Sequence, residues 1–350
     1  VLRKLSLSFL CALLLAAALL ALVFAQQSRA LSQPLRVSAD YLLDVPRGAS
    51  VDGMLLRMQR DGLLEDAFWA RLAWRFNHAG ATLHSGEYRL TPGLSLEGLF
   101  ALWQDGTVMQ HELTLVEGWN LRQLRSALAR TESLQQTLGN VTDEQLLKHL
   151  GLPGGHAEGR FFPDTYRFPR GTTDAQLLRR AARRLDDVLA EEWAKRANNL
   201  PFTEPYQALV MASLIEKETG AAHERKQIAG VFARRLAKGM RLQTDPTVIY
   251  GMGERYNGKL KRADLLERTP YNTYQIDGLP PTPIALAGRA AIHAALHPAP
   301  GNSLYFVARG DGSHAFSDSL DAHNSAVREF QLKRRADYRS TPQVLSEKNQ

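Results

Sequence analysis

The 350 residues carry 43 Lys and Arg against 36 Asp and Glu, for a formal net charge of +7 and a pI of about 9.5. Apolar (44%) and charged (23%) shares are those of an ordinary globular protein. One cysteine, Cys11, excludes a disulfide-stapled fold, and its Ser-Phe-Leu context at 8–10 is a poor one for lipid attachment. The basic balance fits anionic membrane surfaces, acidic glycans or simply a solvated basic surface. No zinc finger, RNA-binding aromatic motif or basic region with heptads is present, so no nucleic-acid partner is expected.

Leu5 to Ala25 is an uncharged apolar run preceded by Arg3 and Lys4. A bilayer core takes roughly 20 helical residues, so residues 1–25 read as a transmembrane anchor. A signal peptide cut after Val23-Phe24-Ala25 is the rival, but signal cores run to only about 7–15 residues. The two cations would stay in the cytoplasm and leave the bulk of the chain outside. Residues 26–36 read as a polar linker.

Three copies of one local pattern follow, each a short strand, a Gly-containing turn, an N-cap residue and an amphipathic helix. They start at Tyr41, Tyr88 and Leu113, with Ser50, Ser95 and Asn120 as the caps. Trp69, Trp74, Trp103 and Trp119 fit core packing better than sugar stacking. Residues 37–150 thus form a small α+β region, bounded by the punctuation Leu152-Pro-Gly-Gly-His156.

A larger α+β domain is expected over 151–339. It opens on the aromatic segment Glu158 to Arg167, followed by a basic amphipathic helix over 174–197 whose arginines form a solvated face. Leu209 to Gly220 then reads as a short helix, with Pro205 in its first turn and Gly220 past its end. At about 100° per residue, Ala208, Met211, Ala212, Leu214 and Ile215 share an apolar arc. Glu218 falls inside the arc and Glu216 at its edge. Burial and the negative end of a helix both favour a neutral carboxyl, as a proton donor requires. An ion pair with one of the many Arg and Lys residues is the other reading.

A helix over 224–238 comes next. The polar, Gly/Pro-rich stretches 240–253, 269–274 and 278–284 read as long loops lining a site. A helix over 288–297, a strand over 303–308, a hairpin holding His314 and Phe316, a helix over 319–334 and a polar tail over 340–350 complete the chain. His293 and His297 have zinc-ligand spacing, but no glutamate follows the first and Pro298 ends the helix, so they read as structural. Phosphate-loop and Gly-x-Ser-x-Gly motifs are missing. Neither a metal nor a cofactor is expected, which leaves carboxylate chemistry.

Ile215-Glu-Lys-Glu-Thr219, Leu242 to Gly251, Tyr271-Asn-Thr-Tyr274, Gly278-Leu-Pro-Pro281, Glu158 to Tyr166 and Leu304 to Val307 together resemble the endolytic murein transglycosylases of the MltG (YceG-like) family. The resemblance covers nearly the whole chain and implies a LysM-like module at 37–150 before a YceG-like catalytic domain. It implies a lyase that cuts the MurNAc-β-1,4-GlcNAc bond of peptidoglycan strands without water, leaving 1,6-anhydro ends. The implied setting is the inner membrane, single-pass, with the catalytic domain in the periplasm and penicillin-binding synthases as possible partners. The family's catalytic glutamate corresponds to Glu218, the residue the helical wheel selects. Gln243, Asp245, Tyr271 and Asn272, with Glu158 and Asp164, are the candidates for orienting sugars, each with a structural reading beside it. Where the family has an Asn-Pro-Gly-like turn this chain has Leu286-Ala287-Gly288, so a different loop shape is expected there. The rivals are a hydrolytic muramidase using Asp245 or Glu158 as second carboxylate, and an inert glycan-binding scaffold.

Overall fold

The computed structural model describes residues 2–332, with side chains from residue 9 onward. The polar tail at 340–350 and the last two positions of the 319–334 helix lie outside the described residues, as do the side chains of Arg3 and Lys4. The chain divides into two compact units, one running to His111 together with Arg167–Thr172, the other Glu112–Tyr166 with the chain from Thr173 on.

The first unit begins with α1 (Leu2–Ser32), whose Phe9–Ser32 stretch is long and apolar enough to cross a bilayer. Residues 26–32, expected as linker, continue this helix. Gln27 is buried there and Leu31 packs on the core of this unit. Then come β1 (Tyr41–Val45), α2 (Val51–Arg60), α3 (Ala67–Asn77), β2 (Gly86–Leu90) and α4 (Leu96–Asp105). β1 and β2 pair antiparallel, with Leu43 opposite Tyr88. Alternation puts Leu43, Val45, Tyr88 and Leu90 on the core face, against Met58, Phe100 and Trp103. Ser50 and Ser95 cap α2 and α4 by accepting from Gly53 N and Gly98 N, each at 3.1 Å. Trp74 and Trp103 are core residues of this unit.

β3 (Gln110–Thr114) hydrogen-bonds with a later strand, and the division between the units falls inside both strands. The second unit continues through α5 (Leu121–Ala129), α6 (Asp143–Leu150), β4 (Thr165–Pro169, the partner of β3), α7 (Asp174–Ala194), α8 (Pro205–Glu218) and α9 (Arg225–Ala237). Asn120 caps α5 in a reciprocal box with Gln123. The expected boundary at 150/151 therefore lies inside this unit, and the third strand–turn–helix copy belongs mainly to it. Next are α10 (Asp245–Met252), α11 (Arg262–Leu266), α12 (Arg289–Leu296), the antiparallel hairpin β5 (Tyr305–Ala308) and β6 (His314–Ser317), and α13 (Leu320–Val327) with a π-helical turn at Arg328–Leu332.

α8 is the centre of this unit. Every residue from Ala208 to Ile215 is buried, by α12, α9, α7 and α10. The helix is apolar all round where one arc was expected, and such a helix has no solvent face. Ser213, its buried polar residue, donates to Val210 O at 2.7 Å and accepts from Ile284 N at 3.0 Å.

Candidate active site at the end of the central helix

Because α8 is buried from Ala208 to Ile215, its last residue carries a carboxyl from the core to a partly exposed position. Glu218 is the C-terminal residue of α8, and Thr219 turns extended. Its Oε1 accepts a hydrogen bond from the Thr244 hydroxyl. Burial pushes the Glu218 carboxyl up to about 7 from an ordinary 4.5; the negative charge of Asp245 adds to the rise and the Thr244 hydrogen bond opposes it. No cation pairs with Glu218 among the described residues, so nothing neutralises the ionised form.

Thr244 is held from several directions. It is the N-cap residue of α10, whose Asp245-Pro246 start suits a first helical turn. The stretch 240–253, expected as loop, is therefore helical from 245 to 252. Thr244 N donates to Thr273 Oγ1 at 3.0 Å, and Thr247 Oγ1 donates to Thr244 O at 2.7 Å. Gln243 stands at φ +53°, a left-handed conformation unusual for its type. Its N–H donates to Thr273 O at 3.1 Å. Arg235, buried on α9, holds the same segment by donating to Gln243 Oε1 at 3.1 Å, Leu242 O at 3.1 Å, Arg241 O at 2.8 Å and Leu304 O at 2.7 Å.

These groups face a cavity of about 450 Å³ lined by Glu218, Gln243, Thr244, Asp245 and Tyr274, by Tyr305 and Phe306 of β5, and by Leu320 and His323 of α13. Asp245 Oδ1 accepts from Tyr274 OH at 2.7 Å. The Tyr305 ring stacks on His323 (5.2 Å, 23°) and lies 5.0 Å from the Arg235 guanidinium. A neutral carboxyl with polar groups and aromatic walls around one space can give a proton to a bound acceptor and take one back.

Of the sugar-orienting candidates, Gln243 and Asp245 share the cavity with Glu218. The others lie elsewhere. Tyr271 OH bonds to Thr282 Oγ1 at 2.9 Å and its ring meets Tyr250 edge-on. Asn272 is buried and ties the preceding loop, donating to Asp264 O, Leu265 O and Glu267 O and accepting from Tyr274 N. Asp164 is exposed and caps Thr165 N at 2.7 Å. Glu158 is buried, accepting from Leu121 N at the start of α5 (3.0 and 3.1 Å), Gly159 N and Tyr250 OH; burial raises it to about 6. Thr244, Tyr274 and Arg235 were not singled out from sequence. A Thr directly before Asp-Pro is an N-cap signal that could have drawn attention to Thr244.

Glu216 is buried too and burial raises it, but it faces away. Its Oε2 accepts from Gly288 N at 3.0 Å at the start of α12, and Arg225 lies 3.7 Å from its Oε1. Leu286-Ala287-Gly288 has a packing reason for ending in glycine, since a Cβ at 288 would run into the Glu117 carboxyl. His293 and His297 stack at 4.3 Å, and Glu192, bonded to His293 Nδ1 at 2.9 Å, is also held by Arg289 at 2.8 Å.

Known proteins are similar over most of this chain. An endolytic murein transglycosylase of Bacillus subtilis is 30% identical over 308 residues, covering 82% of this chain and 84% of that protein. One from Streptococcus pneumoniae is 27% identical over 81% of this chain, which spans only 57% of that longer protein. The crystal structure of a YceG-like protein from Listeria monocytogenes superposes with a TM-score of 0.51 at 29% identity, covering 83% of this chain and 99% of that one. The sequence profile of the YceG-like family matches residues 43–329, and the chain belongs to that family.

Proposed function

We propose that this protein is an endolytic peptidoglycan lytic transglycosylase with Glu218 as its single acid and base. The observation that carries the reading is a carboxyl facing a cavity, raised by burial to about 7 and unpaired with any described cation. Relatives named endolytic murein transglycosylases at 30% and 27% identity support the substrate class.

In this reading neutral Glu218 protonates the glycosidic oxygen as the bond to the muramoyl C1 breaks. The carboxylate so formed takes the proton of the muramoyl C6 hydroxyl while that oxygen bonds to C1, giving a 1,6-anhydro end and regenerating the acid. The nucleophile is part of the substrate, so proximity replaces an activated water. Thr244 aims the carboxyl and steadies its charged form between the two proton transfers. Gln243, Asp245 and Tyr274 orient the sugars. The apolar stretch of α1 serves as a single-pass anchor, with the rest of the chain in the periplasm, where nascent strands are trimmed.

Asp245 favours a second reading, hydrolysis, because it brings a second carboxylate to the same cavity. Mass spectrometry of glycan products decides between them. Anhydro ends with no added water, absent with Glu218→Gln, are expected; products heavier by one water per cut would establish hydrolysis.

A further inference from the structure

A second cavity in the same unit, about 1000 Å³, is larger than the one Glu218 faces. Two pairs of chain neighbours are split between them. Glu218 and Asp245 line the first; Lys217 and Pro246 line the second. The end of α8 and the start of α10 are thus the partition, with the candidate acid on one side of it. A strand cut in its interior continues past the acid in both directions and needs room on each side.

The charges of the second cavity suit something other than bare sugar. Lys217 Nζ donates to Gly118 O at 3.2 Å, which brings its ammonium to the segment that starts α5. Arg122, in the first turn of α5, lines the same wall and pairs with Glu254 at 3.0 Å. Both members of that pair are more than half exposed. Such an exposed pair contributes little and is readily exchanged. Glu158 also lines the cavity, with its oxygens occupied by Leu121 N, Gly159 N and Tyr250 OH. Lys217 and Arg122 are the cations of this lining, beside the positive end of α5, and Glu254 is its exposed acid, paired with Arg122. Glycan hydroxyls and acetamides are neutral, whereas the peptide carried on the lactyl group of a muramoyl residue ends in carboxylates.

Resting on the transglycosylase reading above, we propose that the second cavity binds the peptide-substituted continuation of the glycan strand, with Lys217 and Arg122 meeting carboxylates of the stem peptide. The test uses the full chain and two glycan pools, one with stem peptides attached and one stripped by an amidase, which leaves a single lactyl carboxylate on each muramoyl residue in place of the peptide's own. For Lys217→Gln/Arg122→Gln, kcat/KM on peptide-bearing strands is expected to fall at least about tenfold further than on stripped strands, since two charge-assisted contacts are lost. Lys217→Arg, which keeps the charge, restores most of the difference. Titration of free stem peptide onto Glu218→Gln, with and without the two cation substitutions, reads the cavity without chemistry and is expected to show about tenfold weaker binding without them. Equal losses on both pools, or peptide affinity unmoved by the substitutions, would overturn the assignment. Wild type that makes no anhydro ends from either pool sinks the transglycosylase reading instead, and the titration still decides the cavity.

Discussion

Glu216 and Glu218 stand two positions apart, both raised by burial, yet their oxygens meet different groups. Glu216 caps α12 through Gly288 N, while Glu218 meets a threonine hydroxyl at the edge of a cavity. Glu218→Gln is expected to abolish glycan cleavage with an unchanged circular dichroism spectrum, and Glu216→Gln to cost mainly stability. In the proposed reaction the acid is protonated when it acts, so kcat/KM should fall as pH rises through about 7. The neighbours set where that limb lies. Thr244→Val removes a donor to the charged form and should move the limb to higher pH; Asp245→Asn removes a like charge and should move it lower. Stability is linked to the same group. The unfolded chain ionises near 4.5 and the folded one near 7, so the contribution of the neutral carboxyl is full below 4.5 and lost as pH climbs to about 7. Denaturant melts should show Glu218→Gln more stable than wild type by roughly 3 kcal/mol at pH 8, with no such gain at pH 4.

At the scale of elements, α8 is enclosed from Ala208 to Ile215 and ends where the enclosure opens. Ser213 fastens it to the segment before α12, and Ser213→Ala leaves Ile284 N without that acceptor in a buried place. A loss of about 1–3 kcal/mol in urea midpoint measurements is expected. Much at this scale was legible in the sequence. The caps Ser50, Ser95 and Asn120 stand where the Gly-turn and apolar spacing put them, whereas the single apolar arc of the wheel, which set Glu218 inside it and Glu216 at its edge, is not what the enclosed helix shows. The helix α10 was not legible, because Pro246, Gly251 and Gly253 are breaker residues whose effect depends on position, and a proline in a first turn starts a helix. Thr244, Tyr274 and Arg235 were hidden for another reason. Their contacts join residues 26, 29 and 69 positions apart, and side-chain periodicity carries no information about partners that distant.

At the scale of the whole molecule, the chain builds two units, and the leading helix enters the core of the first. Leu31 packs there, and Gln33 O accepts from Leu96 N at 3.3 Å. A fragment starting at Gln26 should melt like the full chain, whereas one starting at Leu35 should lower the first unit's transition by on the order of 5 °C in calorimetry. The unbroken run of α1 from Leu2 to Ser32 has a mechanical meaning as well. A floppy tether would let the first unit tumble freely, and lengthening it would change reach alone. Set in a fluid bilayer, such a helix would turn freely about its own axis, so it fixes height and not facing. Each residue inserted into it near Gln26 would lift the first unit by only about 1.5 Å, against roughly 3.3–3.6 Å for an extended tether, so one to four insertions should leave cleavage of wall glycan unchanged.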